Sequence, residues 1–203
     1  TNSDKKVEKT LIEELTKSRK KFSILSEEIG EVKNSDKDNY WIIDPIDGTT
    51  NFLHGVPHFA ISIALKSNEE IVSGLIFDPI KNEMFYAEKN CGAYFNNQRI
   101  RVSKKKNLNE CLFATGGKDK TEYNLNVRRS GSAALDMAYV GAGRYDGYFQ
   151  KNLNIWDIAA GIVITKEAGG KINNIDHNYN EAIKVLAGSN SIYEKMLENL
   201  NNF

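Results

Sequence analysis

Proline, cysteine and histidine are scarce, at three, two and three residues in a chain of 203. Two cysteines, Cys91 and Cys111, cannot build a disulfide framework; they fit a reducing compartment, with buried structural thiols as the expected role. Few prolines, together with ordinary shares of apolar (40%) and charged (27%) residues, exclude collagenous, low-complexity and disordered classes. Net charge is also lacking. Lys plus Arg and Asp plus Glu number 27 each, so bulk attraction to nucleic acid or an anionic membrane is absent, and an anionic ligand has to be gathered in a local site. No apolar run approaches the roughly 18 residues of a membrane span. The opening TNSDKKVEKTL is polar rather than signal-like. The expectation is a soluble cytoplasmic protein with neither a direct nucleic-acid partner nor a membrane. The first residue is Thr rather than Met, so upstream residues are expected to be missing.

What is present is a change of pattern along the chain. Val7, Leu11, Ile12 and Leu15 mark one face of a helix over 7–20. Short strands are predicted over 22–25 and 40–43, and FAISIAL and IVSGLIF (59–65 and 71–77) form a hairpin across a polar turn. Strand signals continue to Ser103, broken at 90–92 and 96–97. The Lys104–Lys106 run reads as a solvated linker. Beyond it, strands in ECLFATGG, YDGYFQ and KVLAGS alternate with helices in SGSAALDMAYVGAG, WDIAAGIVITKEAGG and SIYEKMLENL. The class is therefore α/β, with an α+β first domain over 1–109 and an α/β second domain over 110–203.

WIIDPIDGTTNF (41–52) places Asp44 and Asp47 three residues apart behind an apolar strand. Asp-Pro and Asp-Gly are common turn pairs, and locally the turn reading leads. Asp157, at the start of a helix, reads first as an N-cap. The Gly48-Thr49-Thr50-Asn51 run shifts the balance: it offers close backbone approach and the free amides of a short helix's first turn, which bind phosphate. Carboxylates on one side and phosphate-seeking amides on the other make sense together when a hard cation lies between them. Mg²⁺, which shares its shell with substrate phosphate, fits. His54 and His58 flank Gly55 and Pro57 and belong to a loop rather than a helical zinc pair. VGAGRYDG follows a helical run, not a strand, and ATGGKD lacks the leading glycine of a P-loop.

WIIDPIDGTTNF, the preceding SEE, WDIAAGIVITKEAGG, GAYFNNQRIRVS and RRSGSAALDMAYVGAGRYDGYF closely resemble the inositol monophosphatase family of Mg²⁺-dependent, lithium-sensitive phosphomonoesterases. The resemblance implies a layered αβαβα sandwich of the sugar-phosphatase type, with the site where the two halves meet. It implies two or three Mg²⁺ per site, held by Glu28, Asp44, the Ile46 carbonyl, Asp47 and Asp157; Glu28 is preferred to Glu27. Gly48 and Thr49 would hold phosphate, and Thr49 with Asp4 would orient the attacking water beside Asp47. It further implies a small phosphorylated polyol as substrate, most simply myo-inositol monophosphate, and a homodimer. Fructose 1,6-bisphosphate, a nucleotide phosphate and histidinol phosphate remain alternatives. So does a protein-binding role with a transcription-factor partner, since some bacterial relatives act in transcription.

The chain departs from the family at Gln150, where inositol-preferring members carry a glutamate; glutamine keeps one acceptor, gains donors and loses the charge. Ser132, Asn152 and Asn154 are further polar candidates for the substrate pocket. Trp156 reads as packing that fixes the angle of Asp157, or as pocket wall. Relative to the family, segments are expected before Thr1 and between about Gly117 and Val127.

Overall fold

The computed structural model describes residues 1–116, 124–175 and 182–200. The expected gap near 117–127 therefore falls largely outside the described residues. The chain opens with helix α1 (Asn2–Ser18) and strands β1 (Ser23–Ser26), β2 (Gly30–Val32) and β3 (Asn39–Asp47). A short helix, α2 (Thr49–Leu53), precedes β4 (Ala60–Ser67), β5 (Glu70–Asp78), β6 (Glu83–Glu88), β7 (Gly92–Phe95) and β8 (Gln98–Arg99). After a 3-10 turn at Leu108–Glu110 come β9 (Phe113–Thr115), β10 (Val127–Arg128), α3 (Ala133–Gly141), β11 (Gly147–Leu153) and α4 (Ile155–Glu167). The chain closes with β12 (Gly170–Ile172), β13 (Ile183–Ser189) and α5 (Asn190–Asn199).

Two sheets result. The larger runs β2-β1-β3-β4-β5-β6-β7-β8 and the smaller β10-β9-β11-β13-β12. From β3 onward the large sheet is antiparallel throughout, as the hairpin signals predicted, while β1 lies parallel to β3. The small sheet is mixed. Helix α1 packs on β3, α3 and α4 lie between the sheets, and α5 covers β13 and β11. The layers are thus αβαβα.

The middle layer follows from sequence. In α4 every residue from Ile158 to Thr165 is buried, the signature of a helix covered on all sides rather than on one face. Its approach to the large sheet requires Gly74: a Cβ there would lie 2.7 Å from the Ala160 Cα. Gly161 likewise admits Met137 of α3. One core spans the layers, joining Ile42, Ile76 and Phe85 of the large sheet to Leu135, Ile158, Tyr148 and Val185.

Strands β2, β10 and β12 carry no signal in the sequence, being two or three residues long and too short for alternation to register, while β8 is a two-residue part of the strand signal read beyond Asn97. Gly169, in the left-handed region (φ 87°), ends α4 as expected, but the chain re-enters a sheet at once through β12. Cys91 is exposed, contrary to expectation, whereas Cys111 is buried and its thiol is pushed up to about 11, first by burial.

Candidate active site

In a regular strand, residues i and i+3 point to opposite faces. Asp44 and Asp47 nevertheless converge, because β3 carries an extra residue between the pairs Asp44↔Ser62 and Asp47↔Ala60. This bulge at Pro45-Ile46 turns both carboxylates to one side. Asp157, in the first turn of α4, meets them there, and one ligand oxygen from each of Asp44, Asp47 and Asp157 lies within 4.8 Å of the others.

Each carboxylate is anchored. Asp44 Oδ1 accepts from the Ile46 amide (3.0 Å). Asp47 Oδ2 accepts from the Ser132 hydroxyl and from the Ala134 amide (2.8 Å), at the N-terminus of α3. Asp157 Oδ2 accepts from the Asn154 amide (2.7 Å) in a capping box. Asp157 is therefore an N-cap partner and a member of the acidic cluster at once.

Crowding shows in the protonation behaviour. Burial, followed by the charges of Asp47, Glu27 and Asp157, raises Asp44 well above the usual carboxylate range. Burial lifts Asp47 to about 7 against the pull of Ser132, and lifts Asp157 to about 6. Buried carboxylates this close cannot all ionise without a counter-charge. An all-oxygen donor set of this kind suits a hard divalent cation.

The structure corrects the choice between the two glutamates. Parallel pairing of Ser26 with Ile43 carries Glu27 alongside Asp44, and the Glu27 amide bonds the Ile43 carbonyl (3.3 Å). The Glu27 carboxyl is raised by burial and then by the charge of Asp157, while neighbouring Asp44 pulls it back down. Glu28 lies one step further into the turn after β1. Glu8, only 2% exposed, secures this turn by accepting from the Ser26 hydroxyl and from the amides of Glu28 (3.2 Å) and Ile29 (3.3 Å). A glutamate interrupting the apolar face of a helix was the available sign of that role.

Asp4 and Thr49, 45 positions apart, do meet. The Thr49 hydroxyl lies 3.4 Å from Asp4 Oδ1 and 3.0 Å from the Ile46 carbonyl, two acceptors for its single proton. Gly48, at φ 92°, caps α2, and a Cβ there would crowd the carbonyls of His58 (3.0 Å) and Gly131 (3.1 Å). Asn51, not foreseen from sequence, clamps α2 in place: its Nδ2 donates to the carbonyls of His58 (2.7 Å) and Ser130 (2.8 Å). His58 sits in a loop beside buried Asp136 (3.8 Å), which also accepts from Ser130 (2.6 Å).

Ser132 is not a pocket residue. It is 1% exposed, caps α3 and holds Asp47. Gln150 is half-buried on β11 and accepts at Oε1 from the Tyr148 hydroxyl (2.7 Å).

Comparison with known proteins agrees with this geometry. The family model described as "Inositol monophosphatase family" matches residues 1–202. An inositol-1-monophosphatase of Caulobacter vibrioides is 42% identical over 98% of this chain and 86% of its own length. The Nus factor SuhB of Escherichia coli is 39% identical over 98% and 81%. The crystal structure of the extragenic suppressor protein suhB of Bartonella henselae superposes with a TM-score of 0.91 at 43% identity, covering 98% of this chain and 83% of that one. On motif, fold and site together, the chain belongs to the inositol monophosphatase family.

Proposed function

We propose that the protein is an inositol-1-monophosphatase-like phosphoric monoester hydrolase that splits myo-inositol monophosphate, or a similar small polyol phosphate, into the free polyol and inorganic phosphate. The observation that carries this reading is the convergence of Asp44, Asp47 and Asp157 within 4.8 Å beside the Thr49–Asp4 pair. Glu27, Asp44, Asp47, Asp157 and the Ile46 carbonyl are the groups that would hold two or three Mg²⁺. Bound there, Mg²⁺ supplies positive charge that neutralises the phosphate oxygens and acidifies water. The chain's own groups do the rest. Asp4 accepts from the Thr49 hydroxyl and fixes its direction, so that this hydroxyl can orient an attacking water and Asp4 can take up its proton. Gly48 brings the α2 backbone close to the phosphate, and Ser132 with the Ala134 amide keeps Asp47 from rotating away. Water's oxygen bonds phosphorus, the ester P–O bond breaks and the leaving alkoxide gains a proton, with no covalent phosphoenzyme.

The test is a phosphate-release screen over inositol, sugar and nucleotide monophosphates with Mg²⁺, with and without lithium. Release from a polyol phosphate that Asp44→Asn and Asp157→Asn each abolish, while the far-UV spectrum is retained, is the expected outcome. Wild-type turnover in either variant would end the proposal. The similarity to a Nus factor favours a second reading, a protein partner in transcription. Partner capture by the inactive Asp44→Asn protein would support it. A homodimer in the cytoplasm is part of the same proposal; no helix among the described residues is long and apolar enough to cross a membrane.

A further inference from the structure

His58 and Asp136 are titratable groups for which the mechanism above has no use. Asp136 is 1% exposed and sits in the first turn of α3. Its Oδ1 accepts from the Ser130 hydroxyl (2.6 Å) and lies 3.8 Å from His58 Nε2. That nitrogen is shielded from solvent and has no hydrogen-bond partner among the described residues. At 3.8 Å the ring and the carboxylate are too far apart for a good hydrogen bond and are held together by charge. Burial raises Asp136, while His58 and then Ser130 pull it back. Tyr139, one turn further along α3, meets the imidazole edge to face (5.8 Å, 74°) and fixes the ring's plane.

Both neighbours of Asp136 lead to the same place. The carbonyls of His58 and Ser130 are the acceptors of Asn51 Nδ2, at 2.7 and 2.8 Å. Asn51 lies in α2, two residues after Thr49. The grip leaves no slack: a Cβ at Gly131 (φ 89°) would lie 2.8 Å from Asn51 Nδ2. Asp136 thus fixes the hydroxyl of one clamping residue and the ring of the other, and through their carbonyls the roll of α2. That helix is only five residues long, and the Thr49 hydroxyl at its start stands 3.4 Å from Asp4 Oδ1, longer than the usual O–H···O distance. A small roll therefore decides whether this contact tightens or is lost. The acidic cluster does not hang on the same path. Asp47 is held by Ser132 and the Ala134 amide, Asp157 by the Asn154 amide and Asp44 by the Ile46 amide.

We propose that His58 and Asp136 are positioning residues for the reaction, a buried charge pair that sets the angle of α2 through Ser130 and Asn51 and thereby aims the Thr49 hydroxyl at the attacking water. This deepens the phosphatase reading and rests on it. The charge of the pair, not the bulk of the ring, does the aiming. With the imidazole gone, a buried carboxylate loses its counter-charge and its hold on Ser130 shifts. Removing both charges together leaves a neutral group at position 136 that still accepts from the Ser130 hydroxyl.

The experiment measures steady-state rates of the Mg²⁺-loaded protein on myo-inositol 1-phosphate for the wild type, His58→Phe and the double variant His58→Phe/Asp136→Asn. It is run well below each variant's melting midpoint, where lost stability alone leaves the folded fraction, and so kcat, unchanged. His58→Phe is expected to lower kcat about tenfold, with KM and the Mg²⁺ concentration for half-maximal rate within about threefold of wild type. The double variant is expected to recover most of that loss, because no unpaired charge is left behind. Should His58→Phe fail to fold, Ser130→Ala poses the same question from the other side of Asp136 and is expected to show the same fall confined to kcat. Wild-type kcat in the folded variant, a Mg²⁺ requirement that rises in step with the loss, or a double variant no faster than the single would each overturn the inference and leave the phosphatase reading intact. No phosphate release by the wild-type protein from this or any other monoester of the screen would overturn that reading, and the inference with it.

Discussion

Asp47 and Asp157 keep protons that ordinary carboxylates have given up, with values near 7 and 6 instead of 3.8. Between pH 4 and 7 the unfolded chain has released protons that the cation-free folded chain retains. Folded stability must then fall as pH rises through that window, by up to about 1.4 kcal/mol per pH unit for each such group. Urea melts in chelator are expected to give lower stability at pH 8 than at pH 5. Added Mg²⁺ is expected to raise the midpoint more at pH 8, because cation binding must expel those protons; equal stability at both pH values would mean that burial does not hold the protons on these carboxyls. Glu27 and Glu28 allow a sharper comparison. Glu27→Gln is expected to raise the Mg²⁺ concentration needed for half-maximal phosphate release about tenfold or more, and Glu28→Gln to leave it within about twofold. At this scale the meeting of Asp44, Asp47 and Asp157, and of Thr49 with Asp4, was expected from the family resemblance, not from the local turn and cap readings. The choice between adjacent glutamates could not be made from the sequence, because it depends on which of them lies opposite Asp44 across a parallel strand pair. Ser132 was misread for a related reason: a polar residue in a motif does not reveal whether it faces ligand or holds a ligand's neighbour.

Among elements, β3 and α4 do the positioning. The bulge in β3 makes Asp44 and Asp47 neighbours, and α4 delivers Asp157 because it is wedged between the sheets. Its seat is the bare backbone of Gly74 in β5. Gly74→Val would press a branched side chain against the Ala160 backbone, 2.7 Å from where its Cβ must be. The expected cost is about 1–3 kcal/mol, read as a lower urea midpoint, together with weaker Mg²⁺ stabilisation as Asp157 is displaced. An unchanged midpoint would show that the layer can relax. Long elements with a clear period (α1, the β4–β5 hairpin, α4) were legible within a few residues. The bulge was not, since two aspartates three apart look like a turn until the partner strand fixes their register. The three-residue strands at the sheet edges were equally silent, because pairing rather than propensity makes them.

In the whole molecule the two halves proposed from the linker at 104–106 contribute separate sheets, yet their apolar side chains merge into one core. The sequence marked where composition changes but could not show that α3 and α4, from the second half, would also cover the first half's sheet. That shared layer determines when the site comes into being. Asp47 finds Ser132 across 85 positions of chain, and Thr49 finds Asp4 across 45. Such distant pairings are slow to close and late to form. A cation that needs all of them can recognise only the finished structure, not the transition state that precedes it. Mg²⁺ should accordingly act as a brake on unfolding rather than a spur to folding: stopped-flow measurements are expected to show the unfolding rate falling with Mg²⁺ while the refolding rate stays nearly constant.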